Sequence, residues 1–116
     1  ESFFRKVEEK ETLNYIKKQN LIIALGGGAF MNENIRETVK KSCISFWLDL
    51  NPIKIFERIK LNKKRPLLNS KSSEKDVQKL YDTRKEVYSL ADYKIDCNSR
   101  PKEQIIKEVL EIYENI

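Results

Sequence analysis

Short runs of strand-forming residues alternate with amphipathic helical stretches along this chain, and that alternation restricts its fold more than any single motif. Residues 21–25 are an unbroken apolar run closed by Gly26, Gly27 and Gly28. A run without polar alternation is the pattern of a strand covered on both faces, the usual condition in parallel sheets. Two further strand-like runs stand at 43–48 and 93–95. Between them lie helical patterns. The first covers 2–19, with Phe3, Val7, Leu13 and Ile16 spaced to share a face, and Asn20 ends it. Asn32 or Asn34 can cap a second helix through Lys41, and Asn51-Pro52 starts a third over 52–61. Ser73 and Asp76 form a compact capping box for a helix through Leu90, and Asn98 or Ser99 opens a last one bearing Ile105, Ile106, Val109, Leu110, Ile112 and Tyr113. The order predicts an α/β fold, a three-layer parallel sheet flanked by helices and joined by right-handed crossovers.

At 116 residues the chain makes one domain, 1–116, and 40% hydrophobic residues suffice for a core. No apolar run approaches a membrane span or a signal peptide, so the sequence reads as cytoplasmic, with no membrane partner. Cys43 and Cys97 are expected as buried free thiols. The absence of histidine removes His-dependent triads and most zinc sites. The net charge of +5 arises from 23 basic and 18 acidic residues mixed along the helices, which favours an anionic small molecule over a nucleic acid.

Within this lysine-rich background there are six arginines, at 5, 36, 58, 65, 84 and 100. Arginine supplies a planar, two-pronged donor for carboxylate or phosphate. The three glycines stand where a parallel strand ends, the edge at which such sheets bind ligands, and bare backbone there can approach an anion or hydroxyl closely. Each feature also has a plain reading: a strand-to-helix turn for the glycines, a solvated helix-face cation for Arg5, a disordered basic loop for 62–73.

Four motifs occur together. They are Phe4-Arg5-x-x-Glu8, Leu25-Gly26-Gly27-Gly28-Ala29, Arg65-Pro66-Leu67-Leu68 and Arg84-x-x-x-Tyr88-x-x-Ala91-Asp92. In order and spacing this set resembles the shikimate kinases, small P-loop kinases that use ATP and Mg²⁺ to phosphorylate the 3-hydroxyl of shikimate in aromatic amino-acid biosynthesis. The resemblance implies that Arg5 and Arg84 hold the substrate carboxylate, that Glu8 orients them, and that Gly26, Gly27 and Gly28 face the ring and its hydroxyls. It makes Arg65 the catalytic lid arginine on a loop over 62–73, closing onto the phosphates. Arg58 and Arg100 would flank the adenine, although Ser99 and Pro101 depart from the commoner family pattern beside Arg100. Arg36 is left as a surface residue.

The same resemblance begins midway through the family's substrate region. It therefore implies a partial kinase domain that lacks the G-x-x-x-x-G-K-[ST] phosphate loop, for no glycine occurs outside 26–28. In the family's sheet order, 2-3-1-4-5, strands 3, 4 and 5 would be present and strands 1 and 2 missing. Either residues 21–25 pair directly with residues 44–48, or a strand from another chain, such as a second copy, fills the gap. Without the phosphate loop the chain is expected to bind neither ATP nor Mg²⁺ productively and to be inactive alone. Two other readings remain: a non-catalytic carboxylate-binding module, and another small P-loop kinase acting on a hydroxy acid.

Overall fold

The computed structural model describes residues 2–61 and 73–116. Five helices and two strands follow one another as α1 (Ser2–Ile16), α2 (Glu33–Ser42), β1 (Phe46–Asp49), α3 (Pro52–Leu61), α4 (Glu74–Tyr88), β2 (Tyr93–Asp96) and α5 (Lys102–Glu114), with a short 3₁₀ turn at Ala29–Met31 before α2. The α/β class expected from the alternation is thus the class observed.

Helix starts follow local chemistry. Asn32 accepts the Ile35 N–H at 3.1 Å to cap α2, and Asn51 accepts the Lys54 N–H at 2.9 Å to cap α3 behind Pro52. At α4 the box is reciprocal: the Asp76 N–H donates to Ser73 Oγ at 3.1 Å, and the Ser73 N–H donates to Asp76 Oδ2 at 3.0 Å. These backbone and hydroxyl donors hold the Asp76 carboxyl below its ordinary range. The last helix departs from expectation. Asn98 folds back on Asp96, Ser99 takes a left-handed φ of 54°, and α5 begins only after Pro101. Its apolar stripe contributes no buried residue, and Ile106, Leu110 and Tyr113 are exposed.

The two strands pair in parallel, with Phe46 opposite Tyr93 and Asp49 opposite Asp96. Side-chain latches close both ends of the ladder. Asp92 Oδ2 accepts the Ser45 N–H at 2.9 Å at the entry, and Asn98 Oδ1 accepts the Asn51 N–H at 2.9 Å at the exit. One core gathers Ile16, Ala29, Ile35 and Val39 between α1 and α2, with Leu13, Leu25, Phe30 and Cys43 packed against it. Ile59, Val77 and Ile95 are buried elsewhere, on α3, α4 and β2. Cys43 and Cys97 are free thiols, half-buried rather than buried.

One expectation is overturned. Residues 21–25, expected as a strand, form no ladder with β1 or with anything else among the described residues, so of the two expected alternatives the direct pairing with 44–48 does not occur. An apolar run records a capacity for burial, but it becomes a strand only when its backbone finds a partner. Here Ile22 is fully exposed at 103%, while Leu25 alone of this run reaches the core. The described sheet is accordingly two strands wide. No helix among the described residues is long and apolar enough to cross a membrane.

Candidate functional site

The three glycines lie where α1 and α4 meet the segment leading into α2. The Ala29 N–H donates to the Gly26 carbonyl at 3.0 Å, which closes a tight turn over 26–29. None of the glycines has a positive φ, so this turn does not need glycine for its backbone angles. Close approach requires glycine at Gly27 alone, since a Cβ at Gly26 or Gly28 would meet only ordinary contacts. A Cβ on Gly27 would stand 2.8 Å from Arg84 Nη1, one on Gly28 would stand 3.9 Å from Arg84 Nη2, and one on Gly26 would stand 3.4 Å from Glu8 Oε2. A guanidinium from α4 and a carboxylate from α1 therefore rest directly on bare backbone.

The sequence-predicted substrate residues are sorted by this geometry. Glu8, Gly26, Gly27, Gly28 and Arg84 come together, although Glu8 and Arg84 are 76 positions apart by their numbers. Arg5 is exposed on α1, one turn before Glu8 on the same helical face. The Asn34 amide donates to Glu9 at 2.8 Å and ties the start of α2 to this part of α1. Arg65 and the lid loop lie outside the described residues, apart from Ser73, which caps α4.

Two other arginines sit around Cys97 at the exit of β2. Arg100 donates to the Asp96 carbonyl at 2.6 Å and pairs with Glu108 at 2.5 Å, while Arg58 is exposed on the last turn of α3. Burial raises the Cys97 thiol pKa, and the charges of Arg100 and Arg58 pull against that rise. Hydrogen bonds from Asn98 hold the nearby Asp96 carboxyl low.

Several contacts had no counterpart in the sequence reading. Tyr88, at the end of α4, donates its hydroxyl to the Gly27 carbonyl. Its ring meets Phe30 and Trp47 edge-on, with centroids 6.3 and 6.1 Å away. Arg36, expected at the surface, is half-buried and donates to the Phe30 and Met31 carbonyls at 3.0 Å each, pinning the 3₁₀ turn beyond the glycines. At the end of β1, buried Asp49 accepts the Tyr81 hydroxyl at 2.9 Å and pairs with Lys94 at 3.4 Å. Burial first, then the bond to Asp49 and the charges of Asp49 and Asp82, push the Tyr81 hydroxyl pKa up to about 12. A carboxyl at a strand end was the available signal for Asp49, but its partners come from α4 and β2, beyond the reach of local pattern.

The chain resembles known proteins over nearly all of its length. The chain is 34% identical over 110 residues to a shikimate kinase of Bartonella henselae, covering 95% of this chain and 52% of that protein. It is 34% identical over 111 residues to that of Aquifex aeolicus, covering 95% of this chain and 64% of the relative. Across the curated relatives it matches, the chain thus spans about half to two thirds of their length. Shikimate kinase from Acinetobacter baumannii, solved in complex with shikimate, superposes with a TM-score of 0.87 at 27% identity, over 99% of this chain and 65% of that one. The enzyme from Bacteroides thetaiotaomicron shares the fold, with a TM-score of 0.79 at 22% identity over 98% of this chain and 68% of that one. With the family model for shikimate kinase matching residues 1–114, the glycine turn and the two charged groups resting on it stand in a chain that belongs to the shikimate kinase family.

Proposed function

We propose that these residues form the shikimate-binding and lid portion of a cytoplasmic shikimate kinase, a partial kinase domain over 1–116 with the lid at 62–73. The observation that carries the reading is the contact of Arg84 and Glu8 with the glycine turn. In this reading the guanidinium forks of Arg5 and Arg84 take the shikimate carboxylate, Glu8 sets their orientation, and backbone at Gly26, Gly27 and Gly28 faces the ring hydroxyls. A fork held by a carboxylate is preorganised, so little freedom is lost when the substrate anion arrives. The named ligand of the Acinetobacter baumannii enzyme supports this choice of substrate.

The nucleotide side is assigned to Arg58, Arg65 and Arg100, with Arg65 as the catalytic group that meets charge developing on the transferred phosphoryl. ATP and Mg²⁺ are the cofactors of the complete reaction. The fit to them is poor: the described residues offer no group of three or more His, Cys, Asp or Glu able to hold a metal ion, and the sequence has no glycine outside the substrate turn. The 116 residues alone should therefore not transfer phosphoryl.

Titration calorimetry with shikimate tests the binding half, with Arg84→Ala as the control that removes it. The kinase half is tested by ADP formation, absent for the chain alone and expected once a segment bearing a phosphate loop is joined upstream. Binding without activity in the joined protein, correctly folded, favours a non-catalytic carboxylate-binding module. Activity on other hydroxy acids in preference to shikimate favours the related-kinase reading.

A further inference from the structure

Three glycines in succession make the softest backbone in the chain, yet Arg84 can serve a ligand only if that backbone stays still beneath it. Tyr88 is placed to hold it. It is the last residue of α4, one turn beyond Arg84, so both side chains leave the same face of one helix. Its hydroxyl donates to the carbonyl of Gly27, the residue at which Arg84 Nη1 makes its closest approach. The hydroxyl is itself fixed, because the ring is held edge-on by Phe30 from the 3₁₀ turn and by Trp47 from β1.

We propose that Tyr88 is a positioning residue for the carboxylate site, orienting the Gly27–Gly28 peptide so that Arg84 and the turn keep one register. The peptide is planar and trans, so directing the Gly27 carbonyl at α4 turns the Gly28 N–H to the opposite side. The donor offered to a ligand hydroxyl is thereby set by a group that never touches the ligand. This rests on the shikimate-binding reading above.

The test is Tyr88→Phe, which keeps the ring contacts and removes only the hydroxyl. Two quantities are measured: the shikimate Kd by calorimetry, and backbone amide exchange at Ala29 and Met31, whose N–H groups bond the Gly26 and Gly28 carbonyls, against Val39 and Ile95. Loss of one hydrogen bond is expected to raise Kd about 3- to 10-fold. Exchange should accelerate at Ala29 and Met31 and stay unchanged at Val39 and Ile95. Tyr81→Phe, which deletes a hydroxyl two turns earlier on α4, should leave Kd within about twofold. An unchanged Kd in Tyr88→Phe overturns the proposal, as does exchange that quickens equally at all four positions, the mark of a packing residue. If the wild-type chain does not bind shikimate, the function proposed above fails. The local exchange pattern then still decides whether Tyr88 orders the turn.

Discussion

Gly27→Ala should separate binding from stability, which substitutions at close-packed sites seldom do. A Cβ at this position falls 2.8 Å from Arg84 Nη1 and 3.8 Å from Cζ. Carbon needs roughly 3.5 Å from such an atom, so the guanidinium must retreat by about 0.7 Å. It can do so, being the free end of a long side chain, and the backbone at Gly27 has no positive φ to penalise alanine. Folding stability should therefore hold steady or rise by about 0.4–1 kcal/mol, since alanine narrows the unfolded ensemble. Binding should not hold. A hydrogen bond to a charged group contributes about 1.5–3 kcal/mol and weakens steeply once its heavy atoms are more than a few tenths of an ångström too far apart. Displacing the Arg84 fork should then raise the shikimate Kd about 10- to 150-fold. Calorimetric titration and thermal unfolding on the same samples make the comparison. A variant that binds as tightly as the wild type would show that Arg84 does not act from its observed place. A variant that binds weakly because it has lost several degrees of stability would refute the argument from close approach.

Arg36→Ala removes the guanidinium that binds the Phe30 and Met31 carbonyls, and should cost about 1–3 kcal/mol in urea unfolding. Ile95→Ala, at a side chain with 0% exposure in β2, should cost about 2–5 kcal/mol by the same method. Tyr81 carries a pH signature. Its hydroxyl pKa is raised to about 12 from the ordinary 10, so its contribution is fully present below about pH 10 and is lost as pH rises through 12. The fall in melting temperature over that window should be shallower in Tyr81→Phe than in the wild type, and parallel curves would reject the role given to the bond with Asp49. For the second chain expected to fill the gap beside residues 21–25, we propose a homo-oligomer, since that run and one edge of β1 find no ladder partner among the described residues. Light scattering should report a dimer or larger at micromolar concentration, and a monomer would count against it.

What the sequence made legible was local. Capping at Asn32, Asn51 and Ser73 needs only side chains within three residues, and all three caps form as the pattern implied. The helical periodicities placed α1 to α4 within a few residues. Failures occurred where the outcome depends on a distant partner. The run 21–25 has every property of a buried strand except a neighbour, and Ile22 is left bare. The stripe on α5 is likewise covered only in part, with Ile105, Val109 and Ile112 half-buried and Ile106, Leu110 and Tyr113 exposed. Arg36 looked like a surface cation because its acceptors are carbonyls, which no residue-type pattern encodes.

The candidate site was legible for a different reason: its members are costly unless used. Glycine weakens most structures, so three together argue for a contact that side chains would prevent. Arginine in a lysine-rich chain argues for a fork rather than for charge alone. Those two arguments marked the three glycines and all six arginines alike, and only the family resemblance singled out Arg84 among them. Tyr88 escaped them because a tyrosine at helical spacing is explained well enough by packing, and it does pack, against Phe30 and Trp47. Only its hydroxyl is unexplained by the core, and a hydroxyl has no direction until the fold supplies one. Residue types that are costly unless used therefore leave a mark in composition. A contact made by a common side chain leaves one only in three dimensions, as α4 does by carrying both Arg84 and Tyr88 to the same glycine.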